Sequence, residues 1–134
     1  MLRENIIDAR FAGREVTIKV LGREEPIKGV IDEVARYEIG LRSEGKAVVV
    51  YRHSILSVEV EATDLHGYSN ERLQDTVINS DLTGTEIEFF LIDGSSIKGK
   101  LMKVSKYEIG IRIDNEGFVI PKSAIAYAVV EPSD

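Results

Sequence analysis

Two tyrosines stand out for the residues beside them. Tyr37 lies in RYEIGLR (36–42) and Tyr107 in KYEIGIR (106–112), seventy positions apart. Each follows a cation, Arg36 or Lys106. Single-stranded nucleic acid can use such a pair, because a base of any identity stacks on an aromatic face for ~1–3 kcal/mol while a neighbouring cation takes the phosphate. Arg36 can also lie over an adjacent ring as a cation–π partner. The same residues suit a plainer role, a strand-end tyrosine half packed into a core with its hydroxyl in water. Both readings stand at this point. Other chemistries lack their residues. Without cysteine there is no disulfide and no thiolate metal site. His53 and His66 are the only histidines, where zinc usually takes three or four protein ligands. No nucleophile–base pair stands out, so nothing points to an enzyme, a metal or a cofactor.

The heptad belongs to a longer repeat, which decides the organisation of the chain. IKGVIDEVARYEIGLR (27–42) lies over IKGKLMKVSKYEIGIR (97–112) without a gap, and nine of these sixteen positions are identical. GREVTIKVLG (13–22) lies over GTEIEFFLID (84–93), and VVVYRHSILSVEV (48–60) over FVIPKSAIAYAVV (118–130). The expected domains are therefore 1–60 and 70–134, each near the lower size limit for a self-sufficient core, joined by a polar linker at 61–69. Val16, Ile18 and Val20 alternate with Thr17, Lys19 and Leu21, the period of a half-buried strand, and Ile87, Phe89 and Leu91 repeat the pattern. Gly29 and Gly99 sit inside the second strand of each unit, where a glycine marks a bulge or sharp bend. AVVVYRH and GFVIPKS read as fourth strands, ILSVEV and IAYAVV as fifth strands. Five short, bent strands with brief turns predict a small closed barrel in each unit. Ahead of each barrel, LRENIIDARF (2–11) and SNERLQDTVINSDL (69–82) space their apolar residues as short helices do. Ser69 or Asn70 is a candidate N-cap for the second. The fold class is all-β with short N-terminal helices: two tandem, strongly bent five-stranded barrels.

Charge and hydropathy narrow the partners. The chain carries a net charge of −6, so it is a poor generic binder of nucleic acid unless a local basic site exists. The first sixty residues balance ten cations against ten carboxylates, whereas residues 69–134 carry seven against eleven, so the second unit is the acidic one. No apolar run approaches the ~18 residues that span a membrane, and MLRENIID lacks the apolar core of a signal peptide. A cytoplasmic protein without membrane contact is the expectation.

Helix followed by a bent five-stranded barrel, twice, resembles the bacterial RNA chaperone Hfq and its Sm-like relatives, duplicated in tandem. VYRHSI (50–55) is similar to the family's V/I-Y-K-H-A-I signature; LQD with Asn79 (73–79) resembles its N-terminal helix, and FFLIDGSSIKG (89–99) its first hairpin. The likeness covers nearly the whole chain apart from the linker. Departures exist: Pro121-Lys122-Ser123 replaces Tyr-Lys-His in the second unit, and neither unit has the Asp and Asn of the classical Sm uridine motif.

The resemblance implies a pore-facing RNA site. Tyr37 and Tyr107 take the place of its base-stacking aromatic, with Arg36 and Lys106 beside them. Arg52 and His53 occupy the loop between strands four and five of the first unit, Lys122 and Ser123 that of the second. The N-terminal helices supply Arg3 and Gln74. Arg10 and Arg14 are what remains of the family's arginine-rich lateral rim. The first unit, with its Arg-His pair, is expected to carry more of the phosphate binding. Free edges on strands four and five invite pairing between barrels, which the family uses to close rings. With two barrels per chain, three chains make a pseudo-hexamer. The implied function is an Hfq-like ring that captures single-stranded, U- or A-rich RNA as an RNA chaperone. The alternative is an Sm-type oligomeric protein-interaction scaffold whose RNA binding is reduced or lost.

Overall fold

The apolar alternation becomes ten antiparallel strands in the computed structural model, which describes residues 2–132. The first repeat supplies β1 (Glu15–Val20), β2 (Ile27–Val34), β3 (Glu38–Ser43), β4 (Lys46–Tyr51) and β5 (Ile55–Glu59). The second supplies β6 (Glu86–Leu91), β7 (Ser96–Val104), β8 (Glu108–Ile113), β9 (Glu116–Pro121) and β10 (Ile125–Val130). Val16, Ile18 and Val20 are buried while Glu15 and Lys19 face solvent, and Ile87 and Phe89 repeat the inward pattern. The β3–β4 hairpin turns on Glu44 and Gly45, both at positive φ, a two-residue geometry that matches the right-handed strand twist. Both second strands bend. Register slips between Ile31 and Glu33, and again between Leu101 and Lys103, put one extra residue into each. At Gly29 the neighbouring strand comes so close that a Cβ would overlap the Arg42 carbonyl oxygen and lie 2.6 Å from Leu41 Cδ1. Only glycine fits that approach.

The strands do not close into two barrels. They form one open sheet in the order β5-β1-β2-β3-β4-β10-β6-β7-β8-β9. Within each repeat the order five-one-two-three-four holds, but the outer edge of β4 pairs with β10 instead of β5. Ala47–Val50 run antiparallel to Tyr127–Val130, with Val50 opposite Tyr127 and Ala47 opposite Val130. The backbone groups of a strand edge must find partners, and here the fifth strand of the other repeat provides them. That leaves β5 and β9 as the two outer edges.

Two apolar cores form along this sheet, and the junction belongs to both. Phe11, Ile18, Ile31, Leu41 and Val50 centre the first, which also takes in Ala126 and Tyr127 from the second repeat. Ile78, Ile87, Phe89, Leu101 and Ile109 centre the second, which takes in Val49 and Tyr51 from the first. Phe90 and Tyr127 stack at 4.5 Å beside the seam.

The expected N-terminal helices are absent too. Each shrinks to a single 3-10 turn, Ala9–Phe11 or Ser80–Leu82. The side chains of Asp8 and Asn79 accept from the N–H two residues on, at 3.1 and 2.9 Å, a local bond that competes with helix. Ile6-Ile7 and Thr76-Val77-Ile78 are β-branched runs, which lose χ1 freedom in a helix. More decisively, Gln74–Ile78 direct their backbone groups to the first repeat, as described below. The linker is pinned rather than slack: Ser69 N–H donates to Asp8 Oδ2 at 2.9 Å, and Arg10 reaches the Asp64 and His66 carbonyls. Among the described residues no helix is long and apolar enough to cross a membrane.

Candidate functional site

The two YEIG tyrosines sit on matching turns. A bond from Ala35 N–H to the Glu38 carbonyl (2.9 Å) closes the β2–β3 turn, and Ser105 with Glu108 repeats it at 2.9 Å between β7 and β8. This tight closure pushes the intervening residues outward. Tyr37 is 52% exposed and Tyr107 69% exposed, so neither ring is buried in the core. Each has a cation on its face: Arg36 Cζ lies 5.2 Å from the Tyr37 ring centre and Lys106 Nζ 5.3 Å from that of Tyr107. Both distances are within cation–π reach. The tyrosine of VYRHSI, Tyr51, is by contrast buried, and burial together with Glu38 pushes its phenol up.

Backbone bonds bring the loop residues to these turns. Arg52 N–H donates to the Tyr37 carbonyl at 3.0 Å and Lys122 N–H to that of Tyr107 at 2.8 Å. The third contribution crosses the repeats. Arg36 N–H donates to the Gln74 carbonyl (2.8 Å) and Tyr37 N–H to that of Asp75 (3.1 Å). Gln74 therefore joins the turn of the first repeat, not that of its own. Arg3 sits alongside on the linker, bonded to Asn70 Oδ1 at 3.0 Å and lying over the Tyr68 ring. Arg3, Arg36 and Arg72 line an open cleft of about 340 Å³ together with Glu4, Asp8 and Glu71.

Several expected RNA ligands are already engaged. Arg36 lies between Glu4 Oε1 at 3.2 Å and Asp75 Oδ1 at 3.3 Å, and the hydrogen bond to Glu4 raises its pKa further. Arg52 Nε and Nη2 donate to the Ala35 carbonyl, and Nη2 also to that of Ile7, which ties the loop to the N-terminal segment. Burial lowers the pKa of this guanidinium. His53 Nε2 bonds the Ile125 carbonyl at 2.8 Å across the seam, a contact in which that nitrogen carries the proton. Arg10 pairs with Asp8 at 2.8 Å and Arg14 with Asp64 at 3.7 Å, so the two rim arginines hold the linker. In the second repeat the cations are less occupied: among the described residues Lys106 makes no ion pair, Lys122 is half-buried and Ser123 is exposed. The expected advantage of the first repeat in phosphate binding does not follow from this arrangement.

Glu38, the glutamate of the first heptad, had no role in the sequence reading. Its Oε1 accepts from Val77 N–H and Ile78 N–H, both at 2.9 Å, and so grips the entry to the second repeat. The residue is fully buried, and neither its Oε2 nor the Tyr51 hydroxyl opposite it has a hydrogen-bond partner among the described residues. Burial raises the Glu38 carboxyl, while the Ile78 and Val77 amides and the Lys122 ammonium act against that rise. Its retention in both heptads was the one available signal. Among the described residues no cluster of potential ligands could hold a metal ion. No family model matches the chain, and no curated protein matches it.

Proposed function

We propose that the chain is a tandem Sm-like protein of the Hfq type, which assembles through its sheet edges into a ring and binds single-stranded RNA at the YEIG turns. The observation that carries the reading is the pair of solvent-facing tyrosines, each under a cation, presented by equivalent turns in both repeats. A flat aromatic face with a neighbouring positive charge is the sequence-tolerant platform that single-stranded RNA uses. The five-one-two-three-four strand order of each repeat and its bent second strand agree with the resemblance to the Sm fold.

Ring assembly follows from the free edges. Carried over by seventy residues, the β4–β10 pairing sets Gly117–Ile120 of one chain against Ser57–Val60 of the next. Val119 is 67% exposed on β9, whereas its counterpart Val49 is buried at the internal seam. An apolar free edge of this kind calls for a strand, and three chains give six repeats.

The engaged state of Arg36 and Arg52 favours a second reading, a protein-interaction scaffold of the same architecture with RNA binding reduced. The tyrosines separate the two. Replacing Tyr37 and Tyr107 by alanine should lower oligo-U affinity at least tenfold, with melting temperature and oligomer size kept, since stacking is worth ~1–3 kcal/mol per base. Phenylalanine at both positions should be nearly silent, because the π-face remains. If the alanine pair stays assembled and binds as wild type does, the tyrosines are not the site.

A further inference from the structure

The seam between the repeats has a counterpart at the end of the sheet, and that end is incomplete. LRENII (2–7) aligns with LQDTVI (73–78) without a gap, so each contact of the second segment has a defined equivalent in the first. At the seam, Leu73 packs against the core of the first repeat, while Glu38 takes the Val77 and Ile78 amides. Gln74 and Asp75 take the amides of Arg36 and Tyr37. The corresponding groups at the two ends of the chain are unmatched. Leu2 is 97% exposed, and the Ile6 and Ile7 amides donate to nothing among the described residues. On the other side the Glu108 side chain is exposed where Glu38 is buried, and the Lys106 and Tyr107 amides likewise have no acceptor among the described residues.

We infer that Glu108, with the Lys106 and Tyr107 amides, is a receptor for the N-terminal segment of a second chain, residues Leu2–Ile7. The occupant is not the chain's own segment, because that segment belongs to the repeat bounded by β5 and the receptor borders β9, the opposite edge of the ten-stranded sheet. Four unpaired amides face three acceptors in complementary order: second-chain Ile6 and Ile7 share the Glu108 carboxylate, as Val77 and Ile78 share Glu38 Oε1, and Lys106 and Tyr107 take the second chain's Arg3 and Glu4 carbonyls. Hydrogen bonds to a carboxylate are the stronger kind, so this latch adds directional strength to edge pairing. It also completes the second RNA-facing turn. The second chain's Arg3 and Glu4 stand beside Lys106 and Tyr107 there, as Gln74 and Asp75 stand beside Arg36 and Tyr37. Pro121, Ser123 and Ala124 replace Tyr51, His53 and Ser54. Of these, His53 and Ser54 bond the Ile125 and Ala126 carbonyls across the internal seam. The intermolecular junction is thus more dependent on its glutamate.

The inference rests on the ring reading, and the test separates them. Sedimentation of wild type, Glu108→Ala and Glu108→Gln over a concentration series gives the assembly midpoint of each. Glu108 is exposed, so neither change disturbs the single chain. The expected result is a midpoint at least tenfold higher for alanine and an intermediate one for glutamine, which keeps an acceptor oxygen without the charge. Hydrogen exchange should show the Ile6 and Ile7 amides protected in the wild-type assembly and released in the alanine variant. An alanine variant that assembles as wild type does, with unchanged exchange at Ile6 and Ile7, overturns the latch while the ring stands. A wild type that stays monomeric throughout overturns both.

Discussion

Replacing Glu38 by alanine should destabilise the fold through two amides rather than through lost packing. The Ile78 amide is buried with its residue, and a buried donor left without a partner costs about 1–3 kcal/mol. Val77 is half-buried, so its amide can recruit water and loses about 0.5–1.5 kcal/mol. Against this, the variant no longer buries a carboxylate with one unpaired oxygen, which returns part of the loss. A net loss of about 2 kcal/mol near neutral pH is expected, or a Tm drop of roughly 5–10 °C for a chain of this size. Glutamine keeps an acceptor for both amides and should recover most of it. The pH dependence has a definite sign. Glu38 is raised above 4.5 in the fold, so the proton-linked part of its contribution is fully present below that value and lost as pH rises through the raised one, while the two amide bonds remain. Urea titrations at about pH 5 and pH 8 should therefore show a larger alanine deficit at the lower pH, and a flatter profile for glutamine. If alanine is as stable as wild type, or glutamine fails as badly as alanine, the hydrogen-bond reasoning is wrong.

Further outcomes follow from the same contacts. Lys106→Ala with Lys122→Ala should weaken oligo-U binding more than Arg36→Ala with Arg52→Ala, because Arg36 already lies between two carboxylates and Arg52 is held by carbonyls; fluorescence anisotropy on both double variants decides, and the reverse order refutes it. Gly29→Ala should cost more stability than Gly99→Ala in urea titrations: the first Cβ overlaps the Arg42 carbonyl, whereas the second meets the Arg112 carbonyl at 2.8 Å. Equal costs would show that the two bends are equally tight.

Much of the local architecture was legible in the sequence. The repeat fixed the strand count, the period-two alternation at Val16–Val20 gave the inward face, and Gly29 and Gly99 marked the bends. The shared turn of Tyr37 and Tyr107 was legible in the repeat, whereas their degree of exposure was not. Edge choice was not legible, because β4 presents the same apolar pattern whether it closes on β5 or runs on to β10; long-range geometry decides. The spacing of Leu2, Ile6, Ile7 and Phe11 fits a helix, yet the amides of the equivalent second segment bond across the seam, and such bonds have no signature in sequence. Glu38 was missed for the same reason, since its partners lie about forty residues away. The pairing of Arg36 with Glu4 and Asp75 was equally hidden, and with Arg36 so engaged the expected advantage of the first repeat no longer follows.

The most direct test of an RNA-binding ring is a titration of oligo-U and oligo-A against the purified chain over a range of salt concentrations. The account predicts binding at low salt that weakens linearly on a logarithmic scale. Each phosphate neutralised adds about 0.7 to the slope on a single strand, so several such contacts should be resolved. Absence of binding to either oligonucleotide at low salt, by a chain that sediments as an intact ring, contradicts it and leaves the protein-interaction scaffold.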